Sequence, residues 1–444
     1  MRLPLPALPF RHEHDHEIMR LAVPAFGALV AEPLFLLADA AIVGHLGTPQ
    51  LAGLAIASTL LATALSLCTF LAYGTTAAVA RRLGAGDLAG AVRQGIDGLW
   101  LAGLLGVMLA VLGFGGANQL IGLFGADAET SRNALIYFRV SMIGLPAMLA
   151  VFAMTGVLRG LQDTRTPLTV AVAANLLNIL LNLLFVYGLD LGIGGSAAGT
   201  CVAQWASVSA YLFVVIRGAS RLEVDLTFSR AGVVRSFRAS APLLVRSLSL
   251  RIVIVLSAAI AARLGQPELA AHQVAFTLWS ALALGLDAIA IAGQALVGRY
   301  LGAGDIHGVR VATRRMVEWS VALGLLFALV LITARNDLPV LFTQDPEVRH
   351  LLSGVLVMIA IFQPAAGWVF ALDGVLIGAG DARYLAFAQA LTVVVFVPLA
   401  ACVLIFSLGL VALWLAIGGW VVTRLLLLRL RERTDDWAIV GAVR

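Results

Sequence analysis

Two carboxylic acids, Glu32 and Asp39, stand seven residues apart in the first long apolar run of the chain. On a helix that spacing returns to nearly the same face. An ionisable group at bilayer depth costs about 2.5–3.5 kcal/mol even on insertion scales, so each one is a functional candidate by default. Asn175, Asn178 and Asn182 recur at i, i+3 and i+7 in a later apolar run, and Thr200 lies in the run after that. Such a stripe suits an internal cavity and not lipid. Counted inward at about 1.5 Å per residue, Asp39, Asn182 and Thr200 lie about 8, 12 and 9 Å from the outer ends of their runs, so the three can meet at one level. No arginine of the first half lies at that depth. A carboxyl group with amide and hydroxyl neighbours and no fixed counter-ion is able to bind and release H⁺ or Na⁺. The competing reading is a static interhelical hydrogen-bond network, worth about 0.6 kcal/mol per contact. Glu32 precedes Pro33, which gives it a second, structural use around a helix distortion.

The second half pairs its charges. Arg251 and Asp287 each lie about twelve residues from one end of their helices, at 1.5 Å per residue, and Arg246 and Asp373 about seven. Depth-matched opposite charges predict ion pairs, which fix a conformation more than they stabilise it. They are therefore expected to serve structure or gating, with substrate contact as the alternative, and Gln294 is placed to add hydrogen bonds. Arg246 and Arg251 read as the only deep arginines. The RHEHDHE run at 11–17 has histidines at alternate positions, but no second ligand group stands elsewhere, so it reads as a solvated run and no metal site is expected. The repeated LGAGD lacks the spacing of either phosphate-binding glycine motif. Cys68, Cys201 and Cys402 fall inside apolar runs, where a thiol is a small apolar side chain.

The elements that hold these groups are membrane helices. Of 444 residues, 61% are hydrophobic and 12% charged, against roughly 45–50% and 25% in soluble domains. A helix needs about 20 apolar residues to cross the hydrocarbon core, and twelve such runs are legible, near 18–44, 51–80, 90–116, 133–160, 167–190, 194–217, 239–263, 269–300, 309–333, 350–378, 382–407 and 409–428. Barrel strands would alternate polarity over about ten residues, which these unbroken runs do not. All 30 basic residues are arginine, concentrated in the tails and in every second loop. The positive-inside rule then predicts cytoplasmic termini. The net charge of +5 follows from topology, and no nucleic-acid partner is expected. Residues 1–17 show no signal-peptide cleavage site.

The chain also repeats itself. Leu46–Asp87 aligns without gaps on Leu264–Asp305, a shift of 218, with 17 identities in 42 positions. The same shift relates Pro24 to Pro242, Phe124 and Asp127 to Phe342 and Asp345, Pro146 to Pro364, and TGVLRGLQDTR at 155–165 to DGVLIGAGDAR at 373–383. Six spans per repeat predict an all-α integral membrane protein of two six-helix lobes related by a pseudo-two-fold along the membrane normal. The expected order is a cytoplasmic tail (1–17), an N-lobe (18–217), a polar connector (218–238), a C-lobe (239–428) and a cytoplasmic tail (429–444). Asp39 + 218 is Ser257, so ion binding is expected to be asymmetric between the lobes.

The stretches LAVPAFGALVAEPLFLLADAAIVGHLG, the repeated LGAGD and NLLNILLNLLFVYGLDLGIGGSAAGT together resemble the multidrug and toxic compound extrusion (MATE) family; DGVLIGA and LDAIAIAGQALVG are similar to its DinF-type branch. The resemblance spans nearly the whole chain. It implies a two-lobed antiporter in a bacterial inner membrane that expels small organic, often cationic, compounds in exchange for H⁺ or Na⁺. It assigns ion coupling to Asp39 with Asn178, Asn182 and Thr200, and departs from members with a second aspartate where Asn182 stands. A monomer without a cofactor is expected, driven by H⁺, with Na⁺ as alternative. A lipid-linked precursor flippase would want an arginine-lined groove, which two deep arginines argue against. A membrane-embedded enzyme would want a His or Ser paired with the buried aspartates.

Overall fold

The computed structural model describes residues 13–443. Among these residues, twelve helices are long and apolar enough to cross a membrane. They are α1 (Glu13–Gly44), α2 (Thr48–Gly84), α3 (Leu88–Gly122), α4 (Ala128–Gly160), α5 (Arg165–Gly188), α6 (Gly192–Arg221), α7 (Arg230–Leu264), α8 (Gln266–Gly302), α9 (Ile306–Thr333), α10 (Pro346–Gly378), α11 (Ala382–Ile405) and α12 (Gly409–Arg433). No strand occurs among the described residues. The large exposed side chains are of the kind lipid accepts, such as Leu37, Val111, Leu112 and Phe114.

Repeated residues do repeated work at the helix ends. In both LGAGD turns the last glycine, Gly86 or Gly304, takes φ near +77° or +78°, a conformation open to glycine at little cost. The Asp that follows caps the next helix: Asp87 accepts from the Gly90 amide and Asp305 from that of Gly308, each at 2.8 Å. Asp127 and Asp345, another repeated pair, cap α4 and α10. The Thr130 amide and hydroxyl, with the Glu129 amide, hold the Asp127 carboxyl below its usual range. Gly380 (φ +70°) has Gln162 (φ +67°) at its repeat position.

Small residues set the helix crossings, again in matched pairs. A Cβ on Gly156 would lie 2.6 Å from the Ala72 carbonyl oxygen, and one on Gly374 would lie 2.4 Å from that of Ala290. One turn on, Gly160 and Gly378 press in the same way on the carbonyls of Thr76 and Gln294. These are small-xxx-small contacts, by which helices without a hydrophobic drive between them gain packing. Gly106 against Pro146 and Gly324 against Gln363 and Pro364 repeat the device.

The chain divides into two compact units, 27–241 and 1–26 with 242–444. The division differs from the connector expected at 218–238: it falls inside α1, after Phe26, and inside α7, before Pro242, close to repeat-related positions. The reason lies in side chains of the connector and helix starts. Arg93 donates to the carbonyls of Asp225 and Thr227, the Trp100 indole donates to that of Leu226, and Gln94 donates to Ser236, so the connector and the first turns of α7 belong to the unit of α3. In the other unit Asp15 accepts from Arg315 and Trp319, and Glu17 from Arg299 and Tyr300. Residues 13–17, expected as tail, are thus the first turn of α1; 1–12, including Arg11 and His12 of the histidine run, lie outside the described residues. At the other end α12 runs past 428 to Arg433, and Trp437 is buried beyond it.

Candidate functional site

In the 27–241 unit Asp39 is buried among polar side chains from three further helices. Its Oδ1 accepts from Ser196 Oγ at 2.5 Å and Asn182 Nδ2 at 2.9 Å, and its Oδ2 accepts from Tyr137 Oη at 3.0 Å. The Asn182 amide donates also to Asn178 Oδ1 at 3.1 Å, and Asn178 donates to Thr200 Oγ1 at 3.0 Å. Helical spacing aligns these donors, since Asn178 and Asn182 on α5, like Ser196 and Thr200 on α6, are four residues apart and share a face. Gly199 makes the approach possible: a Cβ there would lie 2.3 Å from Asn182 Oδ1. That oxygen is buried with no hydrogen-bond partner among the described residues. The last turn of α5, Leu184–Gly188, widens to a π-helix just past Asn182, and Tyr187 donates to the Ile42 carbonyl. Single π turns are often found at functional sites.

The three donors to the carboxylate, Tyr137, Asn182 and Ser196, are all neutral. A carboxylate so placed is stabilised by hydrogen bonds yet keeps an uncompensated charge, which a proton at an Oδ or a small cation would neutralise. The oxygens of Asp39, Asn178, Asn182 and Thr200 form a set of hard donors suited to Na⁺. Among the described residues no cluster of three or more His, Cys, Asp or Glu is arranged to hold a metal.

The structure therefore brings together Asp39, Asn178, Asn182 and Thr200 and leaves two expected partners out. Glu32 lies on an exposed part of α1, and among the described residues no hydrogen bond joins it to Asp39, Asn178, Asn182 or Thr200. Asn175 is half-buried and donates to the Ala31 carbonyl at 2.8 Å, beside Pro33, where α1 carries a residue with no amide of its own. Tyr137 and Ser196 were missed. Ser196 stands one turn before Thr200 in the glycine-rich GIGGSAAGT, which was a usable signal; Tyr137 gave none. Ser196 also meets the Ser–aspartate pairing set out above for an enzyme, but its hydroxyl donates to Asp39, and among the described residues no imidazole joins the network.

In the other unit Arg246 and Asp373 form a bidentate ion pair, Nε to Oδ1 at 3.3 Å and Nη2 to Oδ2. A third residue joins them: Arg424 of α12 is buried, with Nη2 3.6 Å from Asp373 Oδ2. The expectation of only two deep arginines is corrected by it. Arg424 stands just before LLLLRLRER, the arginine-rich end of α12. Asp287 and Arg251 are half-buried on α8 and α7. Gln294 is buried under Gly378, and its Oε1 has no hydrogen-bond partner among the described residues.

The MatE family profile matches residues 24–184 and 242–402, one stretch in each repeat. The chain is 28% identical to Protein DETOXIFICATION 44, chloroplastic, of Arabidopsis thaliana over 96% of this chain and 86% of that protein. It is 29% identical to DNA damage-inducible protein F of Escherichia coli strain K12, over 84% and 83%. Its fold is similar to that of a solved MOP superfamily transporter from Pyrococcus furiosus, with a TM-score of 0.86 at 22% identity, covering 97% and 98% of the two chains. A match in both repeats, twelve membrane-spanning helices and the two-lobed fold of these neighbours lead to one conclusion: the chain belongs to the MatE family, the multidrug and toxic compound extrusion transporters, and is not an enzyme.

Proposed function

We propose that this transporter exports small organic compounds, often cationic ones, in exchange for protons, with Asp39 as the coupling carboxyl group. The observation that carries the reading is a buried carboxylate bonded to Ser196, Tyr137 and Asn182 and, among the described residues, to no cationic side chain. Proton binding at Asp39 removes its charge and makes one carboxyl oxygen a donor, which obliges the donors facing that oxygen, Asn182 and Ser196 at Oδ1 or Tyr137 at Oδ2, to rearrange. The Asn182–Asn178–Thr200 chain passes that change to α5 and α6. In this reading the outer face loads the proton as substrate leaves, and the inner face releases it as the next substrate binds. No cofactor takes part, the working unit is a monomer in a bacterial cytoplasmic membrane with both termini inside, and nucleic acid is not a partner.

Sodium coupling is the second reading. It is favoured by the bare, buried Asn182 Oδ1, an oxygen lone pair that a proton on Asp39 would not satisfy. Proteoliposomes loaded with ethidium separate the two. An inward proton gradient without Na⁺ is expected to drive efflux by the wild type, and Asp39→Asn is expected to abolish it. Efflux by Asp39→Asn still coupled to proton influx would defeat the assignment of Asp39, and efflux that needs Na⁺ at fixed pH would replace the proton with sodium.

A further inference from the structure

The start of α5 and the end of α6 carry three arginines that no acid of the chain neutralises. Arg217 and Arg221 stand one turn apart on an exposed face of α6, and Phe213, 66% exposed, lies one turn before them on that face. Arg165 opens α5 and is exposed as well. Asn178 of α5 bonds Thr200 of α6, and thirteen residues separate Asn178 from Arg165 and Thr200 from Phe213. At equal rise the antiparallel pair therefore brings Arg165 level with Phe213, one turn from Arg217. Val170 packs against the buried cluster that includes Tyr211 and Val215, so the two helices stay together toward these ends.

Many arginines at this end of the helices are met from within. Arg82 pairs with Asp87, Arg93 with Asp97, Arg299 with Glu17 and Arg315 with Asp15. Among the described residues the side chains of Arg165, Arg217 and Arg221 form no ion pair or hydrogen bond. No Asp or Glu occurs from 164 to 189 or from 191 to 222. Asp163, next to them, is committed to the amides of Arg165 and Thr166 and to the Thr166 hydroxyl. The repeat sharpens the contrast. Arg383 takes the place of Arg165 in the other unit, but on α12, which packs on α11, Arg429 is bound by Glu432 and Arg431 by Asp381 and Asp436. The excess positive charge is thus particular to the α5–α6 pair.

From this juxtaposition we propose that the paired ends of α5 and α6 bind an acidic phospholipid, its headgroup phosphate on Arg217 and Arg221 with Arg165 beside it. Phe213, Val214 and Ile216, all exposed, begin the apolar surface along which the acyl chains lie. The guanidinium fork matches phosphate oxygens, and the arginine-rich side is the one expected to face the acidic inner leaflet. A zwitterionic lipid carries its own cation beside the phosphate and gains less from these arginines. No side-chain hydrogen bond among the described residues joins residues 165–170 to 213–221, so the lipid supplies a tie between two helix ends that lack one. As a statement about binding this stands apart from the exporter reading.

Native mass spectrometry of the purified protein, titrated with dioleoylphosphatidylglycerol or dioleoylphosphatidylcholine, tests the proposal. The first phosphatidylglycerol is expected to bind about tenfold or more tightly than the first phosphatidylcholine. Arg217→Gln combined with Arg221→Gln is expected to remove that preference and leave phosphatidylcholine binding unchanged, which also shows that the variant is folded. Arg217→Gln alone, one exposed change, is expected to weaken phosphatidylglycerol about threefold or more. Arg383→Gln, which deletes an exposed charge at the repeat-related position, is expected to alter neither lipid. Phosphatidylglycerol is further expected to raise the melting temperature of the wild type in detergent and not that of the double variant. Equal affinity for the two lipids, a preference that survives in the double variant, a loss in Arg383→Gln as large as in Arg217→Gln, or displacement of phosphatidylglycerol by inorganic phosphate would each overturn the proposal.

Discussion

At the scale of single residues the Asp39 network depends on an atom that is missing. Gly199 leaves the space that Asn182 Oδ1 occupies, so Gly199→Ala drives a methyl group to 2.3 Å from that oxygen and pushes the amide off both Asp39 and Asn178. Proton-driven dye efflux in proteoliposomes is expected to fall about tenfold or more, the equivalent of about 1.4 kcal/mol, while the amount of folded protein recovered in detergent stays near that of the wild type. Efflux equal to the wild type would mean that the position of Asn182 is immaterial. Asp39, Asn178, Asn182 and Thr200 were legible because each is a polar residue where lipid demands apolar ones. Tyr137 was not, because a tyrosine is half apolar and its hydroxyl announces nothing until a partner is known. Glu32 shares the face of Asp39 by spacing, yet it stands on an exposed stretch of α1, because facing the same way along a helix does not fix what each level of it meets.

At the scale of helices, matched glycines decide how closely α4 meets α2 and α10 meets α8. A methyl group on Gly374 would sit 2.4 Å from the Ala290 carbonyl oxygen, a contact that only a shift of one helix could relieve. Overpacking of this kind costs about 1–3 kcal/mol. Gly374→Ala is therefore expected to lower the melting temperature in detergent. Gly103→Ala on α3, where nothing lies within 4 Å, serves as the control and is expected to be neutral or stabilising by about 0.5–1 kcal/mol. Equal melting of the two variants would remove the close crossing from the account. The repeat made these contacts findable in outline, since a 218-residue shift maps Gly156 onto Gly374 and Ala72 onto Ala290. Which glycines touch which carbonyls was beyond reach, because that depends on helix rotation.

At the scale of the whole molecule the number and order of the helices followed from hydropathy, because a bilayer permits only closed hydrogen-bonding elements. The division into units did not follow. It depends on Arg93, Trp100 and Gln94 holding the connector and the start of α7, and on Arg299 and Arg315 holding the start of α1, all contacts between residues far apart in the chain. The arginine distribution makes one further claim, on orientation. A loop of the arginine-rich set, the connector with Leu226, is expected inside the cell, and the opposite set, with the 82% exposed Leu123, outside. With Cys68, Cys201 and Cys402 changed to serine, Leu123→Cys is expected to react with a membrane-impermeant maleimide in intact cells. Leu226→Cys is expected to react only after the membrane is opened. The opposite pattern would place the termini outside and, with them, reverse the face from which Asp39 takes its proton.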